Sequence, residues 1–336
     1  MRAFITAMLL AVSAWATPAL ARVEKIAVHS VSIEGNLEGN SADRTVYVIL
    51  PPSYDSAKSR RFPVVYFLHG YLGSADRMME YVPFDQALKG AGAGPQEMII
   101  VVPDSNTRNG GSFYSNSLTV GNFEDFITRD LIGWIDGHYR SLARRESRGL
   151  AGHSMGGYGT LRLGMKHPDL FSSIYAMNPC CLRPRPVAMA KQEFETMTPE
   201  QVASADFFTR GNFAIAAAWS PNPAKPPFYA DLITKDGKVD DSVVARWWAN
   251  SPVAIAPQYL PALKGMTAIA LDTGDTDFVQ ADVVAMHETL ITLGVPHDWE
   301  LYVGDHGNRV PTRFGEKVLP FFAKHLSAAA PGRKHR

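Results

Sequence analysis

Apolar positions along the chain fall into two alternating rhythms. Nearly unbroken apolar runs at Val64–Leu68, Met98–Val102, Ser173–Met177 and Ala268–Leu271 have no polar face. That pattern suits parallel strands buried on both sides. Ile26–Ile33 alternates more loosely, and Arg44–Leu50 is rich in β-branched residues before Pro51 and Pro52 stop it. These two predict antiparallel edge strands. Between the runs lie helical spacings. Asn122–Ile135 opens on a capping Asn and puts Phe123, Phe126, Ile127, Leu131, Trp134 and Ile135 on one side. Phe278–Leu293 repeats Val279, Val283, Met286, Leu290 and Leu293 at steps of three or four, with Gly294 and then Pro296 closing it. Strands alternating with helices predict an α/β fold, a mostly parallel central sheet with helices on both faces.

Residues from about 180 to 260 break the rhythm. Prolines 184, 186, 221, 223, 226 and 227 mix there with Trp219, Phe228, Tyr229, Trp247 and Trp248. The segment reads as an insertion over the strand ends, where sheets of this type bind ligands. Its aromatics are read first as packing and second as substrate contacts. The N-terminus differs again. Arg2, an apolar run from Ala3 to Trp15 and the ending Ala19-Leu20-Ala21 describe a secretory signal over 1–21. The expectation is an exported protein, periplasmic or secreted, with one catalytic domain over 22–330 and a basic tail over 331–336. No later run reaches the roughly 18 apolar residues of a membrane helix, so no membrane span is expected.

Composition removes several function classes. Lys+Arg and Asp+Glu are 33 each, and no basic stripe stands out, which leaves no electrostatic case for nucleic acid. The two cysteines are the neighbours Cys180 and Cys181. Neighbouring cysteines rarely bridge without strain, and no Cys-x-x-Cys or adjacent His suggests a metal.

The chemistry concentrates at Gly152-His153-Ser154-Met155-Gly156, which fits Gly-x-Ser-x-Gly. Arg148–Ala151 before it reads as a short strand and Tyr158–Lys166 after it as a helix, the setting of a nucleophile elbow. A serine hydroxyl needs a base. Six histidines follow Ser154. His306 alone sits in a loop after a plausible last strand, Asp298–Val303, at the sheet edge beside the elbow. The base in turn needs a carboxylate, and Asp272, Asp275 and Asp277 all follow the strand Thr267–Leu271 in the required Ser–acid–His order. Their spacing lacks the glycine and closing Glu of a calcium loop. For the oxyanion, one backbone donor is the N–H of Met155. The other lies in His69-Gly70-Tyr71-Leu72-Gly73-Ser74, with Tyr71 ahead of Leu72 and His69 structural.

Seven stretches then carry a resemblance: YFLHGYLGS, PDSN…FYSNS, NFEDFITRDL, GHSMGGYGT, WANSP, LDTGDTDF and VGDHG. In this order they resemble the Putative esterase family of α/β-hydrolases. That family includes esterase D-type S-formylglutathione hydrolases, feruloyl and acetylxylan esterases, and mycolyltransferases. The resemblance runs from about residue 25 to 325. It implies an α/β-hydrolase fold with Ser154 as nucleophile, Asp277 as acid, His306 as base, and Met155 and Tyr71 as oxyanion donors. Many members have Gly-Gly-His followed by Asp and an aromatic, where this chain reads Gly-Asp-His-Gly-Asn. The expected activity is hydrolysis of a small-molecule or carbohydrate-linked carboxylic ester through an acyl-enzyme, with no cofactor. Acyl transfer of the mycolyltransferase type and S-formylglutathione hydrolysis are the alternatives.

Overall fold

The computed structural model describes residues 21–90 and 97–329. The expected signal, apart from Ala21, and the basic tail lie outside them. Eight strands form one sheet: β1 (Arg22–His29), β2 (Asp43–Leu50), β3 (Val64–Leu68), β4 (Ile99–Pro103), β5 (Arg148–His153), β6 (Ser173–Met177), β7 (Ala268–Gly274) and β8 (Asp298–Tyr302). Their spatial order is β1-β2-β4-β3-β5-β6-β7-β8. β2 runs antiparallel to both of its neighbours, β1 and β4, and every other pair is parallel. This is the α/β-hydrolase architecture. Every residue of β3 to β6 is buried, because helices cover both faces of a parallel sheet.

Three expectations change in detail. The first strand is Arg22–His29 and not Ile26–Ile33, since β1 pairs along the whole of β2, from Arg22 opposite Leu50 to His29 opposite Asp43. The chain turns after His29, with Ile33 N–H bonded to Ser30 O, and Ile33 enters the core from that turn. Asn122 does not cap a helix with its side chain. It pairs with Asn116 in a short ladder instead, and its N–H goes to Ser32 O. The helical run α1 that follows (Phe123–Asp125, Phe126–Leu131, Ile132–His138) has π turns in its middle part. The helix expected from Phe278 begins at Gln280, and Gly294 at φ +63° ends it as expected.

Helix α2 (Met155–Lys166) follows β5 directly and is buried along nearly all its length. One carboxylate ties it to α1. Glu124 takes the Arg162 guanidinium, Lys166 Nζ at 2.7 Å and His167 Nε2 at 2.9 Å. Burial acts to raise the Glu124 pKa, but His167, Arg162 and Lys166 outweigh it and hold the group well below its ordinary 4.5. Glu124→Gln removes the partner of a buried guanidinium, so a loss of about 3 kcal/mol is expected at pH 7. A group with a depressed folded pKa stabilises above its unfolded value and loses that contribution as pH falls. The gap between wild type and variant should therefore narrow below about pH 4.5. Urea titrations at pH 7 and pH 3.5 measure it, and an equal gap at both would refute this account.

The insertion joins β6 to β7. It contains α3 (Phe207–Trp219), a hairpin of Thr234–Lys235 with Lys238–Val239 around the Asp236-Gly237 turn, and α4 (Asp241–Trp248). Trp219 and Trp247 are buried, and their rings meet edge to face at 6.1 Å. Trp247 Nε1–H donates to Ser220 Oγ at 3.0 Å. Trp248 is 36% exposed.

Candidate active site

The turn from β5 into α2 sets Ser154 at φ +58°, ψ −117°, a conformation that non-glycine residues rarely adopt. The turn closes only with glycine on either side. A Cβ at Gly152 would lie 2.4 Å from Gly156 O, and one at Gly156 only 1.9 Å from Leu68 O. Ser154 N–H donates to Met177 O at 3.0 Å, and Ser154 O accepts from Tyr158 N–H at 2.9 Å. The serine is thus fixed by the neighbouring strand and by its own helix.

The loops after β7 and β8 bring Asp277 and His306 to this turn. His306 Nε2 lies 2.8 Å from Ser154 Oγ, and Nδ1 lies 2.9 and 3.0 Å from the two oxygens of Asp277. Nδ1–H donates to the carboxylate, and Nε2 is left to accept the serine proton. The Asp277 carboxylate also accepts Val279 N–H at 2.9 Å, Asn178 Nδ2–H at 2.6 Å and Thr273 Oγ1–H at 3.3 Å. Burial acts to raise its pKa, yet these donors, led by His306, leave it below the ordinary value.

The other two aspartates are occupied elsewhere. Asp272 is fully buried against Arg313 and the Tyr175 hydroxyl, at 2.7 and 2.8 Å. Asp275 is exposed and bonds Gly304 N–H at 3.0 Å, joining the two loops. His69 is buried, with Nδ1 2.8 Å from Gly70 O and Nε2 accepting from Ser105 N–H at 2.8 Å. It holds the Tyr71 loop together. Within that loop Leu72 N–H is bonded to Gly110 O at 2.8 Å. Among the described residues Tyr71 N–H has no acceptor. Met155 N–H opens α2 and has no intrahelical acceptor either.

Four contributors escaped the sequence reading. His153 donates its Nε2–H to His306 O at 2.7 Å. Burial, helped by the adjacent His306, lowers its pKa to about 4, so it is neutral and keeps that proton at neutral pH. Asn178, at φ +44°, carries Asp277 and accepts from the Tyr302 hydroxyl at 2.8 Å. The Phe278 ring lies 4.4 Å from the His306 ring and is 51% exposed. The x of Gly-x-Ser-x-Gly and the Asn-Pro after β6 were visible signals. Tyr302 and Phe278 had none. The Gly-Asp-His-Gly-Asn departure also gains a cause. Asp305 caps its own loop through Gly307 N–H at 2.8 Å and Asn308 N–H at 2.7 Å, and the Tyr81 hydroxyl holds Gly307 O.

Ser154 opens into a cavity of about 290 Å³. Tyr71, Phe113, Ile215, Trp219, Phe207 and Phe278 supply much of its wall, so the aromatics of the insertion both pack and line the space. Arg183 and Arg185 stand on its rim, both bound to Asp282. Among the described residues no group of three or more His, Cys, Asp or Glu could hold a metal ion, and no helix is long and apolar enough to cross a membrane.

Comparison with known proteins bears on family and fold. A family model described as Putative esterase matches residues 40–307. An esterase of Mycobacterium tuberculosis strain H37Rv is 35% identical over 133 residues, which are 38% of this chain and 27% of that protein. The chain spans about a quarter of the length of that relative. A solved ferulic acid esterase superposes with a TM-score of 0.66 at 20% identity, covering 92% of this chain and all of that one. An S-formylglutathione hydrolase from Staphylococcus aureus gives 0.61 at 14% identity, covering 90% and 99%. At such identities the likeness is one of fold.

Proposed function

Because this chain belongs to the Putative esterase family, we propose that it is a serine esterase that uses Ser154, His306 and Asp277 to hydrolyse carboxylic esters with a bulky apolar or aromatic acyl group. The observation that carries the reading is the hydrogen-bonded line from Ser154 Oγ through His306 to Asp277 at the mouth of an apolar cavity. His306 Nε2 takes the hydroxyl proton as Oγ attacks the ester carbonyl. Negative charge collects on the carbonyl oxygen, and Met155 N–H and Tyr71 N–H receive it. Asp277 keeps Nδ1 protonated and stabilises the imidazolium. His306 then gives its proton to the departing alcohol. It next activates water, which attacks the acyl-enzyme and releases the acid.

The cavity bears on the substrate class. A formyl group would leave some 290 Å³ of apolar space empty, whereas a long or aromatic acyl chain would be desolvated by it. Aryl esters from acetyl to octanoyl and feruloyl are the test. The bulky acyl groups should give the higher kcat/KM, and absence of turnover on all of them would overturn the proposal. Trp219 lines the cavity and Trp248 does not. Trp219→Ala should shift the feruloyl-to-acetyl ratio of kcat/KM about tenfold or more, while Trp248→Ala leaves that ratio where it was. Equal ratios in wild type and Trp219→Ala would place the acyl group elsewhere.

A further inference from the structure

We propose that Cys180 and Cys181 are a reversible oxidation site within this cavity, closing to a disulfide between adjacent residues. Neighbouring side chains ordinarily diverge, pointing to opposite faces of a strand and to different faces of a helix. Here Sγ of Cys181 lies 2.8 Å from Sγ of Cys180, inside ordinary van der Waals contact. The backbone makes this possible, with Cys181 at φ +60°, a rare conformation for a side chain of this kind. The turn is anchored to the reactive serine itself, since Cys180 N–H donates to Ser154 O at 3.2 Å. Both cysteines are free thiols, Cys181 the more exposed, and both line the cavity. The structure thus holds two thiols already side by side.

The oxidant is a low-molecular-weight disulfide. Cys181 loses its proton, and its thiolate attacks one sulfur of the donor, expelling one small thiol and leaving a mixed disulfide. Cys180 loses its proton and attacks Cys181 Sγ, expelling the second small thiol. Two electrons pass from the cysteine pair to the donor, and the two protons leave on the released thiols. The adjacent Cys180 thiol, then burial, raise the Cys181 pKa well above the ordinary thiol value, so closure should speed up with rising pH. Adjacent Cα atoms lie about 3.8 Å apart, nearer than the separations most disulfides span, which makes such a bridge strained and readily reduced. Reversibility follows from that strain.

Intact mass after incubation with oxidised glutathione tests the site. The folded chain should lose two hydrogens, resist iodoacetamide at both cysteines, and recover both on treatment with dithiothreitol. Cys180→Ser and Cys181→Ser should instead stop with one glutathionyl group attached. A wild-type chain that ends carrying glutathione, or keeps two alkylatable thiols, overturns the proposal, and the wild-type mass decides even if a variant fails to fold. Because the ring would stiffen the cavity wall, the feruloyl-to-acetyl ratio of kcat/KM should move about threefold or more between oxidised and reduced protein. That last arm rests on the esterase reading and the mass arm does not, so their failures are distinguishable. A closed ring with an unchanged ratio would remove the site from the acyl pocket.

Discussion

Ser154→Ala is expected to lose at least about 10⁴-fold in kcat and all labelling by a fluorophosphonate. Oγ is the one hydroxyl bonded to His306 Nε2, at 2.8 Å, and alanine leaves the base with nothing to deprotonate. The turn should survive, since its bonds are backbone bonds, from Ser154 N–H to Met177 O and from Tyr158 N–H to Ser154 O. Alanine tolerates φ +58° no better than serine does, so melting should change little. The His306–Asp277 pair would remain intact. Residual hydrolysis then measures what the oxyanion donors and substrate binding achieve with water alone. Steady-state kinetics on the feruloyl ester, with labelling as an independent readout, check it. Near-normal turnover by the folded variant would mean that another group attacks the ester.

Asp277→Asn should cost about 10⁴ in kcat, for a reason visible in the donor count. The carboxylate serves donors on both oxygens, with His306 and Val279 N–H on Oδ1 and Asn178 and Thr273 on Oδ2. An amide has one acceptor. If its nitrogen faces His306, the imidazole must present the other tautomer and Nε2 can no longer take the serine proton. If it faces Asn178, two NH2 groups meet, because Asn178 Oδ1 is already engaged by Tyr302. Asp275→Asn should keep most activity, since its one loop-joining bond to Gly304 N–H can be made by an amide oxygen. Asp272→Asn should destabilise the fold by leaving Arg313 short of a buried partner, with kcat of the folded fraction near normal. A dead Asp275→Asn beside an active Asp277→Asn would require the acid to be reassigned.

Much of this architecture could be read from the chain because β3, β4 and β6 bury both faces. A strand wrapped by helices needs no alternation, and its apolar run stands out. β1 was read too late because Glu24 points inward, where the Tyr139 hydroxyl bonds it at 2.6 Å, and an acid on the inner face disguises a strand. Asn122 fits the cap rule locally, but pairing with Asn116 took its backbone first. At the site, residue order and the elbow sufficed to single out Ser154 and His306, which the fold brings within 2.8 Å. The choice among three aspartates did not follow from spacing, because it depends on a loop contact about 29 positions away. Asn178, Tyr302 and His153 act through side chains or carbonyls far along the chain. The motifs around His153 and Asn178 mark those positions but not their partners, which only folding brings together.

The line between serine and histidine spans 152 positions, and the bond that seats the His306 loop on β5 spans 153. During synthesis the elbow can therefore form while the chain still lacks its base. A nascent chain that ends before β8 holds Ser154 as an ordinary alcohol, and a completed but undocked one does too. The contact between Ser154 and His306 needs the loop after β8 to reach the elbow. If Ser154 is the nucleophile, its activation thus depends on a contact that only the nearly complete chain can make.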